Sequence, residues 1–354
     1  MFENYFRMLA LTVQPGLARS LQLENVPPPP ESDGVVLVRA LSLGICGTDR
    51  EIVDGRYGWA PPGAQRFIIG HESLGRVEQA PTNCGFVTGD LVVGIVRRPD
   101  PVPCPACAAG EWDMCRNGQY TERGIKQRNG YGSELFRIEP DFLVKLDPAL
   151  GNLGVLLEPA SVVAKAWEQV ERIGVRSAAW QPRVALVTGA GPVGLLAALL
   201  GAQRGLEIHL FDRATDGAKP ALARALGATY HTAIPGGLKP DIVIECTGAG
   251  AVVLEVLGST EPDGIICLAG VSSGGNKIDF DIGDLNRTIV LENHVIFGSV
   301  NANRRHYRAA ADALAKADKA WLGRLISRRV PLADWREAFE KKNGDIKAVV
   351  EFSA

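Results

Sequence analysis

Cys46 and the pair His71-Glu72 lie 25 residues apart, in GICGTDRE and IIGHESLGRVE, and are the first residues here whose types could do chemistry. A thiolate, an imidazole and a carboxylate on two glycine-flanked loops form a mixed sulfur, nitrogen and oxygen donor set. Zinc accepts such a set and can keep a position open. On spacing alone, a turn cysteine beside a polar loop fits equally well. A second cluster, Cys104, Cys107 and Cys115 in CPACAAGEWDMC, puts three thiols into a polar segment with no periodic apolar face. That spacing suits a structural zinc knuckle. The alternative is a loop held by its prolines. Asp100 is the candidate fourth ligand, and Pro101 cannot serve.

The third motif is Gly189-Ala190-Gly191-Pro192-Val193-Gly194, which follows the strand-like VALVT and opens the helix-like LLAALLGA. In that context Gly189, Gly191 and Gly194 allow a tight turn and close approach of a pyrophosphate. Pro192 and Val193 begin a helix whose N-terminus faces the anion. Asp212 lies 18 residues after Gly194, at the end of the next strand, near the spacing of a ribose-binding carboxylate. It favours NAD, while Arg213 immediately after it could stack on adenine or pair with a 2′-phosphate, and Lys219 is a further cation nearby. The expectation is NAD preferred and NADP accepted. Thr247, after the strand DIVIE, is placed to line the nicotinamide pocket.

The elements that must position these residues fall into two textures. Before Pro182 the chain reads as short β segments split by glycine turns: LALTV, VVLVRALSLGI, LGRVEQA, two strands around Thr88-Gly89-Asp90, and GYGSELFRIEPDFLVKLD. A helix follows with apolar spacing at Leu156, Ala160, Val163, Ala164, Trp167 and Val170, with Glu158 and Pro159 at its start. From Pro182 apolar strands ending in small residues alternate with helices, the pattern of a parallel sheet covered on both faces. An Ala-rich helix from Arg304 to Ala320, a helix around DWREAFEKK and a strand KAVVEF close the chain.

With 354 residues, 46% hydrophobic and 22% charged, the composition is that of a two-domain globular enzyme. A net charge of −2 provides no electrostatic footprint for nucleic acid or an anionic membrane. The N-terminal run reads neither as a signal peptide nor as a membrane span, and residues before Met8 read as an extension from an upstream start. Seven cysteines without a secretory signal favour reduced thiols or metal ligands in the cytoplasm. Cys84, Cys246, Cys267, His209, His231, His294 and His306 read as ordinary structural residues.

The motifs GICGTD, GHESLGRVE, the cysteine lobe and GAGPVG together resemble the zinc-dependent medium-chain dehydrogenase/reductase family over essentially the whole chain. GEWDMCRNGQYTERGI, LLEPASVVAKAWE and GSVNANRRHY resemble its glucose 1-dehydrogenase branch. The resemblance implies an α/β fold in which a doubly wound Rossmann domain (161–299) is inserted into a mostly β, GroES-like catalytic domain (1–160 and 300–354). It implies a catalytic zinc on Cys46, His71 and Glu72, with Glu158, where related alcohol dehydrogenases carry cysteine, as fourth ligand or reaching the metal through water, and Asp49 orienting His71. It further implies that Thr48 begins the proton's exit path, that Glu122, Glu158 and Asn301 contact sugar, and that Asn301 also touches the nicotinamide ribose. Pro101 falls where the first cysteine of the family's structural zinc would be.

The implied reaction is oxidation of an aldose at C1 to its lactone, with hydride transfer to NAD(P), in a homo-oligomeric dimer or tetramer. Three ionised ligands, Cys46, Glu72 and Glu158, would overneutralise zinc, so Glu158 is expected to move between metal and substrate. A polyol or alcohol dehydrogenase is the competing enzyme. A nucleotide-binding sensor on this fold would be expected to have lost a zinc ligand, whereas all four remain.

Overall fold

The computed structural model describes residues 7–272 and 277–352. Of the segment before Met8 that reads as an extension, positions 1–6 lie outside the described residues. The chain divides into two compact units, one of Met1–Glu158 with Asn301–Ala354 and the other of Pro159–Val300.

The first unit is mostly β. Its main sheet orders the strands Leu143–Lys145, Leu91–Gly94, Glu72–Gln79, Val36–Ile45, Lys347–Glu351 and Ile326–Pro331, with Leu135–Ile138 also paired to Val36–Ile45. The long central strand alternates inward residues Val36, Val38 and Ala40, and all of its last four positions are buried. Val36, Val38, Leu43, Ile45, Ile52, Ile69, Val77 and Val350 form the core around it, each such side chain contributing about 1.5–3 kcal/mol by burial. The register of this sheet builds the site. Gly44 lies opposite Glu72 on one side and Val349 on the other, so strands far apart in sequence bring Cys46, Glu72 and Lys347 to one end.

The second unit is a six-stranded parallel sheet in the order Thr229–His231, Glu207–Phe211, Val184–Thr188, Ile242–Glu245, Ile265–Leu268, Val295–Gly298. Leu186, Phe211, Val243, Val256 and Ile266 pack in its core. The order reverses between Val184–Thr188 and Ile242–Glu245, which opens a crevice at the carboxyl ends of the strands. Two of the six strands, Thr229–His231 and Val295–Gly298, are edge strands with mixed burial. Thr229–His231 lacks an apolar run, whereas Val295–Gly298, Val-Ile-Phe-Gly, carries one and is still only partly buried at the edge.

Other differences have local causes. Only Leu91–Gly94 forms a strand near Thr88-Gly89-Asp90, because Asp90 Oδ2 accepts the Val87 N–H at 3.0 Å and makes a turn of the preceding residues. The Ala-rich helix stops at Lys316 and restarts at Lys319, where Asp318 caps the new N-terminus by accepting the Ala320 N–H at 2.7 Å. Arg97 and Arg98 are both buried and paired to Glu122 and Glu139. Among the described residues no helix is long and apolar enough to cross a membrane.

Candidate active site

Cys46 caps the short helix Gly47–Val53, and Asp49 three residues on accepts the Cys46 N–H at 2.9 Å. Seven residues are too few for a self-supporting helix; the fully buried Ile52 anchors it to the core. His71 Nε2 lies 3.2 Å from Cys46 Sγ, and its Nδ1 lies 3.3 Å from Asp49 Oδ1. One carboxylate thus orients both the cysteine's backbone and the imidazole, leaving Nε2 directed at the cysteine side. Thr48, in the first turn of the same helix, is half-buried.

His71, Glu72 and Glu158 form a second group whose ligand atoms lie within 4.8 Å of one another, as do those of Cys46, Asp49 and His71. His71 belongs to both. Glu158 stands in the first turn of helix Leu157–Gly174. Glu72 begins its strand against Gly44, where any side chain would collide with the Glu72 carboxylate.

The structure adds a residue that sequence reasoning missed. Lys347 Nζ lies 2.6 Å from both Glu72 oxygens, in a pair that is 2% exposed on each side. Only its place at the head of the closing strand KAVVEF could have signalled it, and a strand-terminal lysine is ordinarily solvated.

The electrostatics are those of a cation site. Burial pushes the Cys46 thiol up, and the His71 ring only partly offsets it. Burial, reinforced by the Glu72 charge, raises Glu158 to about 7. Burial alone would lower His71, but the Cys46 and Asp49 charges hold it well above its usual value. Acidic donors crowded into a dry site need a divalent ion to hold them ionised, and the sulfur, nitrogen and oxygen donors present fit zinc.

Glu122 is buried, and its Oε1 accepts from Arg97 Nε at 3.0 Å; Arg97 in turn lies over the Tyr120 ring at 3.6 Å. Arg97 lies outside the sequence motifs, and Tyr120 falls within GEWDMCRNGQYTERGI without a role assigned to it. Asn301 adopts a left-handed backbone with φ 51°, and both its side-chain amide atoms are buried without a hydrogen-bond partner among the described residues. Unmet amide groups of this kind suit a ligand's hydroxyls.

In the cysteine lobe the Cys104, Cys107 and Cys115 sulfurs lie within 4.8 Å of one another, with Cys104 and Cys115 at 4.0 Å. The Arg116 N–H donates to Cys104 Sγ, and with the Cys107 N–H it brings that thiol down to about 6. Asp100 is buried beside them, but its carboxylate accepts from Val102 N–H and the Asn117 amide and does not join the sulfur group.

In the second unit Gly189 takes φ 87°, and Gly191 caps helix Pro192–Ala202 with Pro192 at its start. A side chain at Gly194 would strike the Gly189 carbonyl, whereas nothing lies within 4 Å of where one would sit at Gly191. That open space above a helix N-terminus is the cradle a pyrophosphate needs. Val193 is half-buried in the first turn. Asp212 accepts from Ala190 N–H at 2.7 Å and Ala214 N–H at 3.0 Å, and Lys219 Nζ lies 3.2 Å from it. These bonds outweigh burial and lower its pKa. Arg213 is exposed beside it. The Thr247 hydroxyl is engaged, donating to Glu245 and accepting from the Ala249 N–H.

The residues read as ordinary have structural surroundings. His306 Nδ1 accepts the Asn303 N–H in a helix cap, His209 stacks on His231, and Cys267 is fully buried.

Residues 32–148 match the alcohol dehydrogenase GroES-like domain model, and residues 151–352 match the model for the glucose dehydrogenase C-terminus. The chain is 39% identical to glucose 1-dehydrogenase of Methanocella arvoryzae, covering 98% of this chain and 100% of that protein. It is also 39% identical to the Thermoproteus tenax glucose 1-dehydrogenase, over 97% and 99%. Haloferax mediterranei glucose dehydrogenase, solved in complex with NADP, Zn and gluconolactone, superposes with a TM-score of 0.90 at 31% identity, covering 98% of this chain and 100% of that one. With both halves matched in order and full-length relatives above 30% identity, the chain belongs to the glucose dehydrogenase branch of the zinc-dependent medium-chain dehydrogenase/reductase family.

Proposed function

We propose that this protein oxidises D-glucose or a closely related aldose at C1 to the aldonolactone, using zinc and NAD(P). The observation that carries the reading is a pair of donor groups sharing His71, one with half-buried Cys46 and Asp49 and the other with buried Glu72 and Glu158. Full-length similarity to glucose 1-dehydrogenases supports the same substrate class. Cys46, His71, Glu72 and Glu158 would hold the metal. When bound, zinc acidifies the sugar's anomeric hydroxyl and the nicotinamide accepts the C1 hydride.

Asp49 keeps His71 in the tautomer that presents Nε2. Thr48, in the first turn of the helix that Cys46 caps, would relay the anomeric proton, taking it up as its own hydroxyl proton passes on to solvent. Glu122 keeps Oε2 for a sugar hydroxyl because Arg97 holds Oε1, and the unmet amide of Asn301 can both donate and accept. Lys347 neutralises one of the three acidic ligands, so that the donor set and zinc balance in charge. The test is NAD(P) reduction across glucose, galactose, xylose, sorbitol and ethanol. Aldoses must lead; a clear preference for sorbitol or ethanol would assign the polyol or alcohol reading instead.

Lys219 holds Asp212 in the structure and partly cancels the charge that would repel a 2′-phosphate. Lys219→Ala is expected to lower kcat/KM for NADP about tenfold and for NAD less than about threefold, since a charged hydrogen bond is worth about 1.5–3 kcal/mol. Equal losses with both cofactors would remove Lys219 from the specificity argument.

The lobe thiols would hold a second zinc, with the fourth position left to solvent or to Asp100 after rotation. Zinc analysis should then return two ions per chain, falling to one in Cys107→Ser. A wild-type content of one would leave the lobe without metal.

A homo-oligomer fits the second unit, where Val295–Gly298 ends the sheet and Phe280, Ile282, Val290 and Leu291 are exposed. Light scattering should give a dimer or tetramer, and a monomeric mass would refute it.

A further inference from the structure

Glu245 ends the strand Ile242–Glu245, and its side chain is fully buried. Its Oε1 accepts from the Thr188 hydroxyl at 3.1 Å, the Thr247 N–H at 2.7 Å and the Thr247 hydroxyl. The Gly248 N–H donates to both oxygens, at 3.2 and 3.1 Å. The Glu245 main-chain carbonyl accepts the Ala269 and Gly270 N–H groups at 2.8 and 2.9 Å. One residue therefore joins the carboxyl ends of three adjacent strands. At Gly270 a side chain would come within 2.7 Å of Glu245 Oε2.

Every one of these bonds is received, as an ionised carboxylate requires. No ion pair among the described residues includes Glu245, unlike Glu72 with Lys347 or Asp212 with Lys219. The charge of the buried Lys165 reaches the Cys267 thiol, as that of Glu245 does, but Lys165 does not pair with Glu245, and an anion buried without a paired cation is costly. A neutral glutamine could accept most of the same bonds, so the hydrogen bonding alone does not call for the charge.

The position of the residue suggests a use. The sheet order reverses beside this strand, and a dinucleotide lies in the crevice outside such a switch point. Asp212 marks the adenine-ribose half on one side, so the Ile242–Glu245 and Ile265–Leu268 side takes the nicotinamide half. The oxidised ring carries a positive charge and the reduced ring none.

We propose that Glu245 supplies a fixed negative charge that favours binding of the oxidised, cationic nicotinamide over the reduced, neutral one. The inference rests on the dinucleotide reading above. Its role is positioning and electrostatic, and it transfers no proton or electron.

The test measures dissociation constants for NAD+, NADH and ADP-ribose with the zinc-loaded protein, in the wild type and in Glu245→Gln. NADH is followed by its fluorescence and the other two by calorimetry. The ratio of NAD+ to NADH dissociation constants should rise about three- to tenfold, the scale of one unit charge acting through an effective dielectric of about 20 or more. ADP-ribose, which lacks the ring, should bind unchanged. An unaltered ratio, or an equal loss for all three ligands, would overturn the proposal. Should Glu245→Gln fail to fold, Glu245→Asp and Glu245→Asn form a pair of equal length that differs in charge, and the ratio must shift between them. Wild-type protein that binds none of the three would instead refute the dinucleotide reading.

Discussion

Cys46→Ala is expected to remove the catalytic zinc and lower kcat/KM for glucose by about 10³-fold or more, the scale on which members of an interdependent catalytic unit act. The thiol caps its helix and stands 3.2 Å from His71 Nε2, so its loss leaves the imidazole without its neighbouring donor. Zinc content, measured beside the rate, separates this from a folding defect. The variant should lose one zinc while still binding ADP-ribose, because the glycine cradle at Gly189–Gly194 lies in the other unit. Retained zinc with retained activity would remove Cys46 from the metal site.

Lys347→Met should lower the stability of the first unit by about 3–5 kcal/mol, the cost of leaving a buried carboxylate without its partner. Lys347 and Glu72 are each 2% exposed and joined by two contacts of 2.6 Å. Denaturant unfolding would show the loss. The double variant Lys347→Met/Glu72→Gln should recover much of it, since the orphaned charge is then gone. Zinc affinity should also respond, because Lys347 balances one ligating charge. A single variant as stable as the wild type would mean that water reaches the pair.

These two residues show what can be read from the sequence and what cannot. Cys46, His71 and Glu72 are visible because their donor types sit on glycine-flanked loops. The glycine motif is visible because a strand precedes it and a helix follows. Lys347 is not, since its role depends on sheet register: it joins Glu72 only because Lys347–Glu351 pairs with Val36–Ile45. Its charge also alters the argument about Glu158. Overneutralisation of zinc is the reason to expect that carboxylate to move, and Lys347 offsets much of it. Glu245 escapes notice for a similar reason, since its donors come from the ends of neighbouring strands. Among the strands, the apolar runs of the parallel sheet are legible, whereas the short polar edge strand Thr229–His231 is not.

The most direct test of the central claim follows the hydrogen itself. Glucose deuterated at C1 is incubated with the zinc-loaded protein and NAD+ or NADP+, and the reduced cofactor is examined by mass spectrometry. The account predicts one deuterium in the nicotinamide ring, a lactone as product, and loss of the transfer after zinc is removed by a chelator. Reduced cofactor without deuterium, or transfer that survives complete removal of zinc, would contradict it.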